Sequence, residues 1–231
     1  MNDTRAGLLR WLLTTSLPLL AIVAPAATIA AQEFVTVKGK QPIPREGFKT
    51  WSLFLVTNQD WLVPENTRRL QELYERSKAF GRAIGADHAA VWFWKTDAPL
   101  SSRALADDVD VERAVAYCRT LKLKPSDGPY LVFTAAYPDE HVAPDAFHVF
   151  ALGGKTAAEI GTLLTTLGDQ LVVDGVVRGG RFAAAAGSDD FWSAWFDATR
   201  HTLARLGMKV GFLIRTPSFT IDGGVAPASE D

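Results

Sequence analysis

Apolar positions recur along this chain with two periods, and segments of the two kinds alternate. Residues 51–56 form a dense apolar run of β-forming side chains, which predicts a buried strand. Leu70, Leu73, Ser77, Phe80 and Ile84 then fall at helical spacing. Arg68, Arg69, Glu72, Glu75, Arg76 and Lys78 fill the other positions. Pro64 suits the first turn of that helix, Glu65 sits well beside its positive end, and Gly85 stops it. Residues 89–94 predict a second strand. Its Val91-Trp92-Phe93-Trp94 shows no polar alternation, as in a strand covered on both faces. Residues 107–121 predict a helix with Val111, Ala114, Val115, Cys118 and Leu121 on one face and Asp108 or Asp110 as its cap.

A turn cluster at residues 124–129 leads into predicted strands at 130–134 and 147–152, joined by a Pro- and acid-rich loop at 135–146. Thr156 and Glu159 have the spacing of a capping box, in which each side chain satisfies the other residue's free N–H. Ile160, Leu163, Leu164, Leu167 and Leu171 continue that helix as one apolar stripe. Beyond Gly175 the chain loosens through Gly179, Gly180 and an alanine run. A last helix, 188–206, opens at Ser188-Asp189-Asp190, and residues 209–216 and 218–222 predict closing strands broken by Pro217. Residues 32–48, interrupted by Gly39, Pro42, Pro44 and Gly47, predict a linker; residues 223–231 predict a disordered tail.

The first 31 residues change the picture. Arg5 and Arg10 precede an uncharged Leu- and Ala-rich stretch, residues 11–31, which ends in Ala26-Ala27-Thr28-Ile29-Ala30-Ala31. A basic start, an apolar middle and a small-residue end are the order of an export signal, cleaved after Ala30 or Ala31. An uncleaved membrane anchor is the competing reading, because the stretch is close to the roughly 20 residues that span a bilayer. Pro18, Pro25 and the hydroxyls of Thr14, Thr15 and Ser16 make it a poor span. The expected location is exported, periplasmic or membrane-anchored. Lys38, Lys40, Arg45 and Lys49 after the stretch favour the opposite orientation by positive-charge counting, but they lie beyond the cleavage zone.

With 231 residues, 48% hydrophobic and 22% charged, the chain can bury a sizeable core. A formal net charge of −2 and the lack of any long Arg/Lys run argue against a nucleic-acid partner. Cys118 is the only cysteine, so no intramolecular disulfide forms.

The order strand, helix, strand, helix, then Gly128-Pro129 into a strand pair and a last helix resembles the thioredoxin-like fold over residues 49–173. The resemblance implies an α/β, three-layer core: a central mixed sheet with helices on both faces. To this the chain adds residues 174–222 as a C-terminal helix-and-strand extension packed on the core. It also implies that Pro129 is cis and faces the start of the first helix. The family's cysteines would stand in Thr57-Asn58-Gln59-Asp60-Trp61-Leu62-Val63-Pro64, which contains no thiol. Thiol–disulfide exchange needs an attacking thiolate and a second sulfur to resolve the mixed disulfide. No catalytic residue is therefore carried over, and this looks like a divergent member without the CxxC motif.

Four constellations remain. Cys118 on an apolar helical face reads as a core thiol, with a one-cysteine redox protein as the alternative. His141, His148, Asp139, Glu140 and Asp145 are metal-compatible but lack metal-site spacing and read as a solvated loop. Gly153-Gly154-Lys155-Thr156 evokes a phosphate loop but lacks its leading glycine. Asp189, Asp190 and Asp197 read as helix-start and surface charge rather than acid–base machinery. The candidate partner-binding residues are Asp60, Trp61 and Pro129 at the vacated turn, and Phe191, Trp192 and Trp195 on the last helix. Aromatics are enriched where proteins meet partners or membrane surfaces. The expected function is a non-catalytic binding or scaffold protein of the cell envelope with a protein partner, and without cofactor or metal. A thiol protein using Cys118 and a membrane-anchored structural subunit are the alternatives.

Overall fold

The strands that sequence periodicity marks assemble into one sheet, but not those strands alone. The computed structural model describes residues 34–95, 105–207 and 209–225. Residues 1–31, expected to be an export signal or anchor, lie outside the described residues, as do residues 226–231. The main sheet contains β1 (Phe34–Lys38), β2 (Thr50–Leu55), β3 (His88–Trp94), β4 (Tyr130–Thr134), β5 (Phe147–Ala151), β8 (Phe212–Arg215) and β9 (Thr220–Asp222). Its order is β1-β3-β2-β4-β5-β8-β9. The first three run parallel and the rest pair antiparallel.

β1 corrects the expectation of a linker at residues 32–48. Val35 and Val37 are buried while Phe34, Thr36 and Lys38 are half-buried. That is period-two alternation on an edge strand. Its partner β3 lies some fifty residues away, and the short segment is held by that long-range pairing and by packing of Phe34 on Tyr74 and of Val35 and Val37 in the core.

Both faces of the sheet are covered. On one side lie α1 (Thr67–Ile84), whose Leu70, Leu73, Phe80 and Ile84 are buried, and α4 (Ala157–Val173), whose Ile160, Leu163, Leu164, Leu167 and Leu171 are buried. They share a core with Phe54, Trp92, Leu131 and Phe150 of the sheet. On the other side α3 (Val111–Thr120) sets Ala114, Tyr117 and Cys118 among Leu53, Val91, Phe93, Val132 and Val149. The fold is α/β with a mixed central sheet between helical layers. The single helix expected at 107–121 is broken: α2 (Leu105–Asp108) ends where Val109 bridges to Trp94. α3 then restarts with Asp110 accepting from the Arg113 N–H at 3.0 Å. The Thr156–Glu159 capping box forms, with Glu159 accepting from the Thr156 N–H at 2.8 Å.

Beyond α4 the chain makes a small hairpin, β6 (Val177–Arg178) with β7 (Arg181–Phe182), and then α5 (Asp189–Leu206). Ser188 caps α5, and Gly207 ends it in the left-handed region at φ +58°. α5 joins the core layer of α1 and α4. β8 and β9 continue the main sheet past β5 rather than standing apart from it. The start of the expected disordered tail is ordered: Val225 is buried in the α3-side core, and Asp222 accepts from the Gly224 and Val225 N–H groups. Among the described residues, no helix is long and apolar enough to cross a membrane.

Candidate functional site

The turn after β2 is stitched internally. Thr57 Oγ1 donates to the Pro125 carbonyl at 2.6 Å. Asn58 accepts from the Asp60 N–H at 2.9 Å and donates to the Ser126 carbonyl at 3.2 Å. The Gly128–Pro129 bond is cis and lies against Thr57; a Cβ at residue 128 would collide with Thr57 Oγ1, so only glycine fits. A short 3-10 turn, Gln59–Leu62, turns Trp61 inward until it is 2% exposed.

Arg69, which carried no signal in the sequence beyond a helical surface position, closes the site. Its guanidinium lies 4.2 Å from the Trp61 ring centroid. It donates to the carbonyls of Gly153 at 2.8 Å and Lys155 at 3.0 Å, and to Asn66 Oδ1 at 3.1 Å. The planar fork thus clamps the Gly153-Gly154-Lys155-Thr156 turn onto the start of α1. Those four residues serve a strand-to-helix turn. Pro129 is also buried, so Trp61 and Pro129 do not form the peptide shelf expected there; of the three residues only Asp60 is exposed.

The aromatic stripe of α5 is likewise turned inward. Trp195 stacks on Phe133 with centroids 3.5 Å apart. Phe191 meets Phe182 at 5.3 Å, and Trp192 stacks on His148 at 5.3 Å. All three are buried, which corrects their expected role as a partner-contacting face in this arrangement. An amphipathic pattern states that one face of a helix must be covered; it does not state by what.

Cys118 is fully buried, and desolvation pushes its thiol up to about 12. It lies in the α3-side core, on the opposite face of the sheet from α1. His141 stays in the loop, its N–H bonded to Asp139 at 2.7 Å, whereas His148 is buried in the sheet. The two histidines of the metal-compatible group are therefore separated. Asp189 and Asp190 stand in the first turn of α5, and Asp197 pairs with Arg200 at 3.4 Å on the surface.

Two features escaped sequence reasoning. A groove of about 610 Å³ is lined by Lys40, Asp110, Glu112, Glu140 and His141, with Arg113 beneath it. Arg113 donates to the Gly39 carbonyl at 2.8 Å, pairs with Glu140 at 3.3 Å and lies over Phe93. The groove offers both charge signs side by side. Second, His88 and His148 are fully buried, and desolvation pushes each down to about 3. His88 shares a 2.9 Å hydrogen bond with Thr50 Oγ1, while neither ring nitrogen of His148 has a partner.

Comparison with protein-family models, with curated proteins and with solved structures finds no match. What the site can do rests on its own chemistry. Among the described residues, the turn after β2 brings together no thiol and no histidine. The side chains of Thr57 and Asn58 are bonded within the chain and hold backbone in place.

Proposed function

We propose that this chain is a non-catalytic binding or scaffold protein of the cell envelope, built on a thioredoxin-like core. Three observations support the core. Strands β1, β3 and β2 lie parallel and are followed by antiparallel β4 and β5. α1 leaves the end of β2. Gly128 and Pro129 abut the turn before α1.

The loss of redox chemistry rests on one observation above all. Where such a fold carries an attacking thiolate, Trp61 fills the space under the Arg69 guanidinium, and the one thiol of the chain is buried across the sheet. Thiolate is the reactive form, and burial suppresses it. The same burial counts against the one-cysteine enzyme. Export is supported by Arg5, Arg10 and the small-residue end of the following stretch. The mixed-charge groove beside Arg113 suits a polypeptide partner, which carries donors and acceptors of both kinds.

Insulin-reduction and peroxide-consumption assays test this directly. Wild type and Cys118→Ala are expected to run at the same background rate. Turnover in wild type that disappears in Cys118→Ala would end the non-catalytic reading. Sequencing of the mature N-terminus is expected to begin at Ala31 or Gln32. A retained Met1 on membrane-extracted protein would favour the anchored subunit instead.

A further inference from the structure

Among the described residues, five buried side-chain polar atoms without a hydrogen-bond partner belong to α5 and to the β5 histidine that its tryptophans pack on. They are Nδ1 and Nε2 of His148, Nε1 of Trp195, and the hydroxyls of Thr199 and Thr202. Residues 195, 199 and 202 fall on one face of α5, the face turned inward, since all three are buried. The helix is thus held by aromatic area at its start and by Ala198, Leu203 and Leu206 further on, while its inward face also carries desolvated polar groups. Buried polar groups are normally paired, and a cluster of exceptions calls for a reason.

Glycines with positive φ bound α5 at both ends. Gly187 precedes it at φ +85° and Gly207 follows it at φ +58°. It shares the hydrophobic core of α4, and polar pairs also join the two helices: His201 with Asp174 at 2.9 Å and Arg205 with Gln170 at 3.1 Å. The strands beneath are different. β4 and β5 are paired on both sides in the middle of the sheet.

We propose that α5 is a releasable element, which leaves its seat on β4 and β5 while the strands hold, and that acidification drives its release by placing charge on His148. The groups around His148 are uncharged. β4 and β8 present Phe133 and Ile214 beside it in register, and α5 presents Trp192 and Trp195. Burial alone acts on its titration. The titratable and basic groups His201 and Arg205 of α5 and Asp174 of α4 are engaged with one another or with Gln170. A proton on His148 therefore finds no counter-charge while α5 is docked, and water when it is not. Release would expose Phe191, Trp192 and Trp195 as one apolar face. The inference stands apart from the envelope reading above and does not require it.

Hydrogen exchange of the whole protein by mass spectrometry, corrected for intrinsic rates, tests it at pH 7 and pH 5. Peptides from α5 are expected to lose protection before those from β4 and β5, and by at least about tenfold more at pH 5 than at pH 7. His148→Phe is expected to abolish the greater loss of α5 protection at pH 5. Thr199→Val with Thr202→Val, which removes two unpaired hydroxyls and keeps their shape, is expected to slow α5 exchange about tenfold or more; this arm reads the docking even where His148→Phe fails to fold. Exchange of α5 in step with β4 and β5 at both pH values would overturn the proposal. So would a greater loss of α5 protection at pH 5 surviving in His148→Phe, or α5 exchange unchanged in the threonine pair.

Discussion

Urea unfolding followed by β-sheet circular dichroism is expected to show stability falling steadily as pH drops from about 6.5 towards 3, with His88 as a main cause. His88 is fully buried on β3, stacked on Phe133 at 5.4 Å and edge-on to Phe80 at 6.1 Å. Desolvation holds it neutral, down to about 3 from an ordinary value of 6.5. In the unfolded chain the ring takes a proton near its ordinary value. Between the two values the unfolded state therefore binds more protons, and stability rises with pH. The contribution is complete above about 6.5 and is lost as pH falls through the window towards 3. At pH 4.5 the loss is roughly 3 kcal/mol from this one ring, a large share of a typical domain's stability of about 5–15 kcal/mol. His88→Leu is expected to flatten the slope by that amount, measured as the difference between midpoints at pH 7 and pH 4.5. An unchanged slope in His88→Leu would mean that the ring reaches water in the folded state. His148 obeys the same sign, but α5 release would relieve its charge before the sheet unfolds. The two histidines thus separate experimentally, one in global unfolding and the other in local exchange.

Trp92→Ala is expected to cost about 3–5 kcal/mol of folding stability, read as a fall in the urea midpoint at pH 7 with an unchanged slope of free energy against denaturant. Trp92 is fully buried in the middle of β3. Its ring meets Tyr74 edge-on at 5.2 Å, Phe54 at 6.4 Å and Trp94 at 6.1 Å. These neighbours come from α1, β2 and β3 itself, so no single element can move in to close the space. Trp92→Phe keeps most of the aromatic contact. It also removes an indole N–H that has no partner, and its cost is expected to stay below about half that of the alanine. Equal losses for Ala and Phe would show that the indole nitrogen finds a partner after all.

Much of the fold was legible because short-range signals agree with it. The apolar stripe of α4, the capping pair Thr156 and Glu159, and the uniformly apolar β3 each follow from local periodicity, and each stands where the pattern puts it. Less of the site was legible. Trp61 beside Asp60 announces an aromatic at a turn, but only Arg69, arriving from α1 and bound to Gly153 and Lys155, makes it a plug. The absence of a thiol from that turn was visible in the chain itself, whereas the burial of Cys118 on the other side of the sheet was suggested only by its helical face.

Composition and periodicity alone determined that this chain alternates strands with amphipathic helices, that it cannot form an internal disulfide, and that residues 57–64 contain no sulfur. Tertiary structure decided what covers each apolar face. It placed Phe34–Lys38 on the sheet edge, turned Phe191, Trp192 and Trp195 onto β4 and β5, and sealed two histidines away from water. The reason is that hydrogen-bond capping and side-chain period act over a few residues, while strand pairing and desolvation depend on partners distant in the chain.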